Sequence, residues 1–344
     1  MTIRPDTPLT FRPLLKPKVW GGRRLERYGK LLPAGELIGE SWEVADLPES
    51  IPDGRSVIAD GPWAGRTLHQ VIADDREAIM GRASLSPEGG FPLLIKFLDA
   101  RENLSVQVHP DEAYAASHPE AHLKSEAWVV LEAEPGAVIY KGVRPGVTRE
   151  QFERHIRTGE VVADLIAVPA AAGECHYLPS GTCHALGAGV LVAEVQTPSD
   201  TTFRVFDWGR TERALHVEQA LACMTFPAPS SPSSRFLEPY EVRGFRTTPL
   251  CVTTFFSIER LDATGEATLP IVTNGVPVIW IVTRGRGVVV SGRGDRVVRS
   301  GRTTFSSGTT LLFPAFLKDA EARFDEPCSV LQVTPPSSTR GMMA

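Results

Sequence analysis

Four side chains in this sequence have the types and spacing to hold a divalent metal ion. Gln107 and His109 lie two apart in the run Ser105-Val106-Gln107-Val108-His109-Pro110. That run is β-prone, and a strand's period of two turns both side chains to one face. Glu126 opens a second such run, Glu126-Ala127-Trp128-Val129-Val130-Leu131. His184 follows a tight turn set by Pro179 and Gly181. A lone histidine on a strand is usually just a hydrogen-bonded residue. Two histidines, a carboxylate and an amide converging from several strands form an N/O shell. One carboxylate and three neutral donors leave a divalent ion with a formal charge of about +1, and an open position can take water or substrate oxygens. Zinc, iron and manganese all suit such a shell.

Cations gather around these positions. Lys96 sits inside the apolar run Pro92 to Leu98, where a charge is costly unless paired or functional. Its plain alternative is an outward position on an edge strand. Lys124 is two residues before Glu126 and shares its strand face. Cys175 and Cys183 flank the turn region, but no Cys-x-x-Cys occurs, so both read as packing residues.

The elements that must position these groups are mostly strands. Leu9 to Leu15 and Lys18 to Trp20 read as an extended strand closed by a Gly21-Gly22 turn, and Ile38 to Val44 as a short strand. Thr67 to Met80 has helical spacing with Thr67 as N-cap, Asp111 to Ala116 gives one or two turns, and Thr148 to Leu165 opens on a capping-box pattern with Gln151. His155 reads as an exposed residue of that helix. Glu212 to Cys223 is a third helix. The segment Phe226 to Ser234 is a Pro/Ser linker, so domains are expected at 1–226 and 236–344 with residues 227–235 between them. Beyond it, short strands punctuated by turns predict a sandwich or barrel.

A length of 344 residues suits two domains, and 42% hydrophobic content supports a sizeable core. The net charge of −5 gives no general attraction to nucleic acid or to an anionic membrane, so an anionic substrate must be held by local Lys and Arg. Five cysteines, an odd number without metal spacing, fit reduced thiols in the cytoplasm. The first residues lack the apolar run of a signal peptide. The apolar stretch Val276 to Val290 is broken by Arg284 and Arg286 and is too short to span a bilayer.

From Gly173 the chain reads Gly, five residues, Pro179, one residue, Gly181, two residues, His184. This resembles the second signature of the cupin superfamily, whose first signature is His-x-His with a Glu a few residues on. Here Gln107-x-His109 replaces His-x-His, and Glu126 comes later, past an insertion. Those departures are similar to the pattern of type I mannose-6-phosphate isomerases. The resemblance runs from Pro13 to Arg210. It takes in Pro92 to Ala100, Leu104 to Asp111, Glu194-Val195-Gln196, Ser199-Asp200 and Arg204 to Asp207. Thr197-Pro198 departs from the family's usual Asn before Ser-Asp.

The resemblance implies a mainly β fold of two cupin (jelly-roll) β-barrels, with short helical insertions in the first. It implies a zinc-dependent aldose–ketose isomerase acting on a sugar phosphate through an enediolate, with one Zn2+ per chain on Gln107, His109, Glu126 and His184. Arg204 and Lys124 would be catalytic, and Lys96, Trp20, Glu194 and Asp200 would touch substrate. Trp20-Gly21 and Gly39-Glu40-Ser41-Trp42 resemble family segments that lie near the active site, with core packing the competing role for Trp20 and Trp42. From Gly308 the chain repeats Gly, five residues, Pro314, but Phe316 replaces the Gly and Asp319 the His, and no His follows His216. A second, metal-free cupin is therefore expected. The alternatives on the same fold are a non-catalytic sugar-phosphate-binding cupin and an iron-dependent cupin dioxygenase. The dioxygenase would normally keep two histidines where Gln107-x-His109 stands.

Overall fold

The computed structural model describes residues 4–226, 238–291 and 301–337; the linker expected at 227–235 lies outside them. Before that gap come β1 (Leu14–Gly22), β2 (Ile38–Val44), β3 (Leu94–Asp99), β4 (Val106–Val108), β5 (Glu126–Ala133), β6 (Val138–Val143), β7 (Leu165–Pro169), β8 (Cys175–Leu178), β9 (His184–Leu186), β10 (Val190–Gln196) and β11 (Phe203–Phe206). After it come β12 (Tyr240–Val242), β13 (Phe245–Val252), β14 (Ser257–Ala263), β15 (Ala267–Pro270), β16 (Val278–Arg284), β17 (Arg286–Ser291), β18 (Arg302–Ser306), β19 (Thr310–Phe313), β20 (Ala320–Phe324) and β21 (Cys328–Thr334). Five short α-helices, α1 (Leu68–Asp74), α2 (Arg76–Met80), α3 (Glu112–Ser117), α4 (Arg149–Thr158) and α5 (Val217–Cys223), all belong to the first part among the described residues.

The protein is mainly β, in antiparallel sheets. A six-stranded sheet β1-β2-β3-β10-β5-β8 faces a five-stranded sheet β11-β4-β9-β6-β7, and a second six-stranded sheet β12-β13-β14-β21-β16-β19 faces a four-stranded sheet β15-β20-β17-β18. Each pair is a jelly-roll sandwich. Among the described residues the ladders do not join into a closed barrel. The second half repeats the strand order of the first, with β11 left over.

Side-chain alternation explains how the layers stack. On β3 Ile95 and Phe97 point one way and Lys96 and Leu98 the other; on β5 Ala127 and Val129 oppose Glu126 and Trp128. Leu98, Trp128 and Val130 pack inside the first sandwich with Ile139 and Leu186 of the facing sheet. The opposite faces meet Ile258, Ile279, Ile281, Leu331 and Val333 of the second unit. The two six-stranded sheets therefore stand back to back. Their central strands are buried on both faces and read as nearly continuous apolar runs. The inner parity of the second unit, including Val278, Trp280 and Val330, packs against Val289, Phe305 and Phe324.

Several local expectations are corrected. Gly21 and Gly22 end β1 instead of turning the chain. Their lack of a Cβ serves close approach, because a Cβ on Gly21 would lie 2.5 Å from the Gly39 nitrogen and one on Gly22 would lie 2.5 Å from Asp99 Oδ2. The helix expected over 67–80 breaks at Asp75, whose side chain accepts from Ala78 N and restarts the chain as α2. Its expected cap, Thr67, does form a capping box with Gln70. The helix from Thr148 stops at Thr158, where Gly159 adopts a φ of 81° and caps it; Leu165 already belongs to β7. His155 is half-buried and not exposed, with Nδ1 2.8 Å from Asp164 Oδ2. The third helix is shorter than expected and starts at Val217. Among the described residues no helix is long and apolar enough to cross a membrane.

Candidate active site

Three strand ends build the centre. Gln107 lies in β4, His109 follows its last residue, Glu126 begins β5 and His184 begins β9. Gln107 and His184 are directly paired across the sheet. The turn before His184 needs Gly181 in the left-handed region (φ 81°), since a Cβ there would meet Thr225 Oγ1 at 2.7 Å. Gly181 N also donates to the His109 carbonyl at 3.0 Å, which ties one histidine's backbone to the other's turn.

His109, Glu126 and His184 are buried, and one ligand atom from each lies within 4.8 Å of the others. His109 Nε2 is 3.4 Å from Glu126 Oε2, and His184 Nε2 is 3.1 Å from Glu126 Oε1. Gln107 Nε2 lies 3.4 Å from His184 Nε2. Each imidazole is oriented from behind: His109 Nδ1 donates to the Thr201 carbonyl at 3.0 Å, and His184 Nδ1 to the Thr182 carbonyl at 2.8 Å. A carbonyl only accepts, so Nδ1 carries the proton and the Nε2 lone pair faces the centre. His109 Nε2 and both Glu126 oxygens are buried and make no hydrogen bond, Glu126 Oε2 having only the ion pair with Lys124. Buried polar atoms left so are costly, and atoms aimed at one point in this way fit a metal ion. The protonation states agree. Burial, reinforced by the Lys124 ammonium, holds His109 neutral with a pKa of about 3. Burial would raise Glu126, but Lys124, 3.0 Å from Oε2, and then His109 hold it well below the usual carboxylate range.

Above the centre is a cavity of about 240 Å³ whose walls include every expected substrate contact. Across the first sheet Trp42, Lys96, Glu194 and Trp128 stand in register on adjacent strands. Lys96 Nζ lies 3.0 Å from Glu194 Oε2 and 3.7 Å from Glu40 Oε2. Burial would lower Lys96, but the two carboxylates outweigh it and raise its pKa. Lys96 is thus an inward, paired residue and not an outward one on an edge strand. Glu40 also accepts from Trp42 Nε1 at 2.7 Å; burial would raise it, but Lys96 and Lys18 hold it at about 2. Glu194 accepts from Trp128 Nε1 at 2.8 Å and is raised, by burial first. Trp20 is both pocket wall and core, and Asp200 is an exposed rim residue.

Arg204 lies on β11, opposite Gln107. Its Nη1 donates to the Ala214 carbonyl at 2.8 Å, while its Nε is buried without a partner. Burial and the neighbouring Arg213 lower its pKa from the usual value. Asp207 accepts from Arg210 and, through both its oxygens, from Nε and Nη2 of Arg213. The cavity is lined by five cations, Lys18, Lys96, Lys124, Arg204 and Arg213, against the carboxylates Glu40, Glu194 and Asp200, a local positive excess in an acidic protein. Lys18 and Arg213 escaped the sequence reading. Glu40 lines the pocket with Trp42, whose strand parity it shares, in the segment that the resemblance sets near the active site. Arg213 lies in irregular chain, with no periodicity to mark it. Cys183 is fully packed, and burial pushes its thiol up.

A jelly-roll sandwich with a buried two-histidine, one-carboxylate centre under a cationic pocket defines a cupin-type protein with a candidate metal site. The type I phosphomannose isomerase catalytic-domain model matches residues 9–130. The chain is 35% identical over 301 residues to the mannose-6-phosphate isomerase of Streptococcus mutans, covering 86% of this chain and 90% of that one. It is 34% identical to the mannose-6-phosphate isomerase ManA of Bacillus subtilis, covering 83% and 88%. The crystal structure of a mannose 6-phosphate isomerase from Bacillus subtilis superposes with a TM-score of 0.82 at 28% identity, covering 95% of this chain and 99% of that one. The chain belongs to the mannose-6-phosphate isomerase family.

Proposed function

We propose that this protein interconverts mannose 6-phosphate and fructose 6-phosphate, by proton transfer between C1 and C2 through an enediolate, with one Zn2+ per chain. The observation that supports this most is the buried cluster of His109, Glu126 and His184, in which His109 Nε2 and both Glu126 oxygens make no hydrogen bond, beneath a cavity walled by excess positive charge. Gln107, His109, Glu126 and His184 would hold the ion, which when bound would polarise the two substrate oxygens that exchange carbonyl and hydroxyl character. The chain's own groups do the rest. Arg204 presents a fixed positive fork where charge grows on those oxygens. Lys124 stands beside Glu126 and adds a second cation next to the centre. Lys96, held between Glu40 and Glu194, positions two carboxylates as hydroxyl acceptors. Trp20 and Trp128 close the apolar side and exclude water. The five cysteines are free, as a reducing compartment leaves them, and this reading places the enzyme in the cytoplasm.

The test is a coupled assay for fructose 6-phosphate formed from mannose 6-phosphate, run on purified protein before and after chelation. Activity should vanish with the chelator and return with zinc, and elemental analysis should give about one equivalent per chain, absent in His184→Ala. Full activity in metal-free protein, or two equivalents of metal, would overturn the reading.

A further inference from the structure

The strands β1–β10 and β12–β21 are arranged alike, so the first pocket has a counterpart in the second unit. Across the first six-stranded sheet one row runs Lys96, Glu194, Trp128. Across the second the same row runs Glu259, Gln332, Trp280. The hydrogen bonds repeat as well. Trp128 Nε1 donates to Glu194 Oε1 at 2.8 Å, and Trp280 Nε1 donates to Gln332 Oε1 at 3.1 Å. The other Glu194 oxygen meets Lys96 at 3.0 Å, and the Gln332 amide nitrogen donates to Glu259 Oε2 at 3.3 Å. This second row lines a separate cavity of about 270 Å³.

What differs is the chemistry around the row. Glu126 stands two residues before Trp128, but Val278 stands two before Trp280, and the chain has no His after His216. The metal set is gone. Lys96 has become Glu259 and Glu194 has become Gln332. Glu259 and Arg243 are the only charged residues lining this cavity among the described residues, so the cationic excess that suits a phosphate is absent. Arg243 occupies the two-residue turn between β12 and β13 with a φ of 52°, followed by Gly244 at 82°. Asn or Gly normally fills such a position, and a strained non-Gly residue at a pocket mouth is a sign of use. Its guanidinium has no ion-pair or hydrogen-bond partner among the described residues. Tyr240, whose hydroxyl donates to Glu259 Oε1 at 3.1 Å, stands half-exposed at the same mouth.

We propose that the second cavity binds an uncharged hexose, away from the catalytic pocket. Carboxylate, amide and guanidinium supply the paired acceptors and donors that adjacent hydroxyls need, and the ring of Tyr240 supplies an apolar face. Glu259 disfavours a phosphorylated sugar. The inference rests on reading the first pocket as a sugar-phosphate site, because the shared row is what names a hexose.

The experiment is equilibrium dialysis of the full-length chain against labelled mannose, with isomerisation measured on the same preparations. In His184→Ala, which should not isomerise, mannose should still bind as about one equivalent with a dissociation constant on the order of 1 mM. Glu259→Ala and Arg243→Gly, added to that background, should each weaken binding roughly tenfold or more. In the otherwise unaltered chain both should leave isomerisation within about twofold. Arg243→Gly should also be at least as heat-stable as its parent, since glycine takes positive φ freely, so its binding loss would not be a folding defect. No saturable binding in His184→Ala, or binding that both second-cavity substitutions leave intact, would overturn the proposal. A wild-type chain that fails to isomerise would instead overturn the proposed function, whatever the dialysis shows.

Discussion

Arg204 lines the cavity and keeps a buried, unpartnered Nε, while Asp207, the carboxylate near enough to neutralise it, is occupied by Arg210 and Arg213. A merely structural arginine would be paired. Arg204→Ala and Arg204→Lys should keep the fold and the zinc, and kcat should fall on the order of 10²–10³. A rise in KM alone would assign Arg204 to holding the phosphate. Glu40 allows a test by pH. Its carboxyl is held at about 2 against an ordinary 4.5. A depressed carboxylate stabilises the fold above its unfolded pKa and loses that contribution as pH falls through the folded one. The stability gap between wild type and Glu40→Gln should therefore be larger at neutral pH than at pH 2, by about 3 kcal/mol. In denaturant titrations it should shrink steadily between about pH 4.5 and pH 2. A gap that does not change with pH would mean that Lys96 and Lys18 do not hold Glu40 ionised. At this scale the sequence showed what alternation and turn chemistry control: Gln107 with His109, Lys124 with Glu126, and the Gly181 turn. It hid Lys18 as a pocket residue because its role depends on which strands become neighbours.

The elements were legible where both strand faces or a cap carried the signal. Thr67 with Gln70 marked a helix start that the structure keeps, with both reciprocal hydrogen bonds formed. Thr67→Ala should cost about 1 kcal/mol in chemical denaturation. A loss below a few tenths would show that tertiary packing of Leu68, Val71 and Ile72 fixes the helix unaided. Boundaries failed where a side chain competes locally with the helix: Asp75 caps the next helix at the expense of continuing its own, and so splits the expected one. The Gly21-Gly22 pair failed for another reason. Its glycines serve the close approach of β2 and Asp99, which a local reading cannot separate from a turn.

At the scale of the molecule, the resemblance made a second cupin legible, but not that the two six-stranded sheets share one apolar layer. A buried ion pair of the first unit reaches across this boundary by a hydrogen bond: Lys30 Nζ lies 2.7 Å from Glu43 Oε2 and donates at 2.8 Å to the carbonyl of Gly308 in the second unit. Lys30→Ala would strand Glu43 in the interior and should cost about 3–5 kcal/mol, read as a lower unfolding midpoint. A change under 1 kcal/mol would show that the cation contributes little to joining the units.

The shared layer also bears on motion. Both sandwiches use the same wall, so neither can swing against the other without opening a close-packed face to water. The candidate cavity lies inside one sandwich and not in a cleft between two bodies. Under the proposed function, substrate capture should fall to rim side chains such as Asp200 and Arg213, with no closing of jaws. Solution X-ray scattering profiles taken with and without saturating mannose 6-phosphate should superimpose, and a contraction of the chain on binding would show that the wall yields.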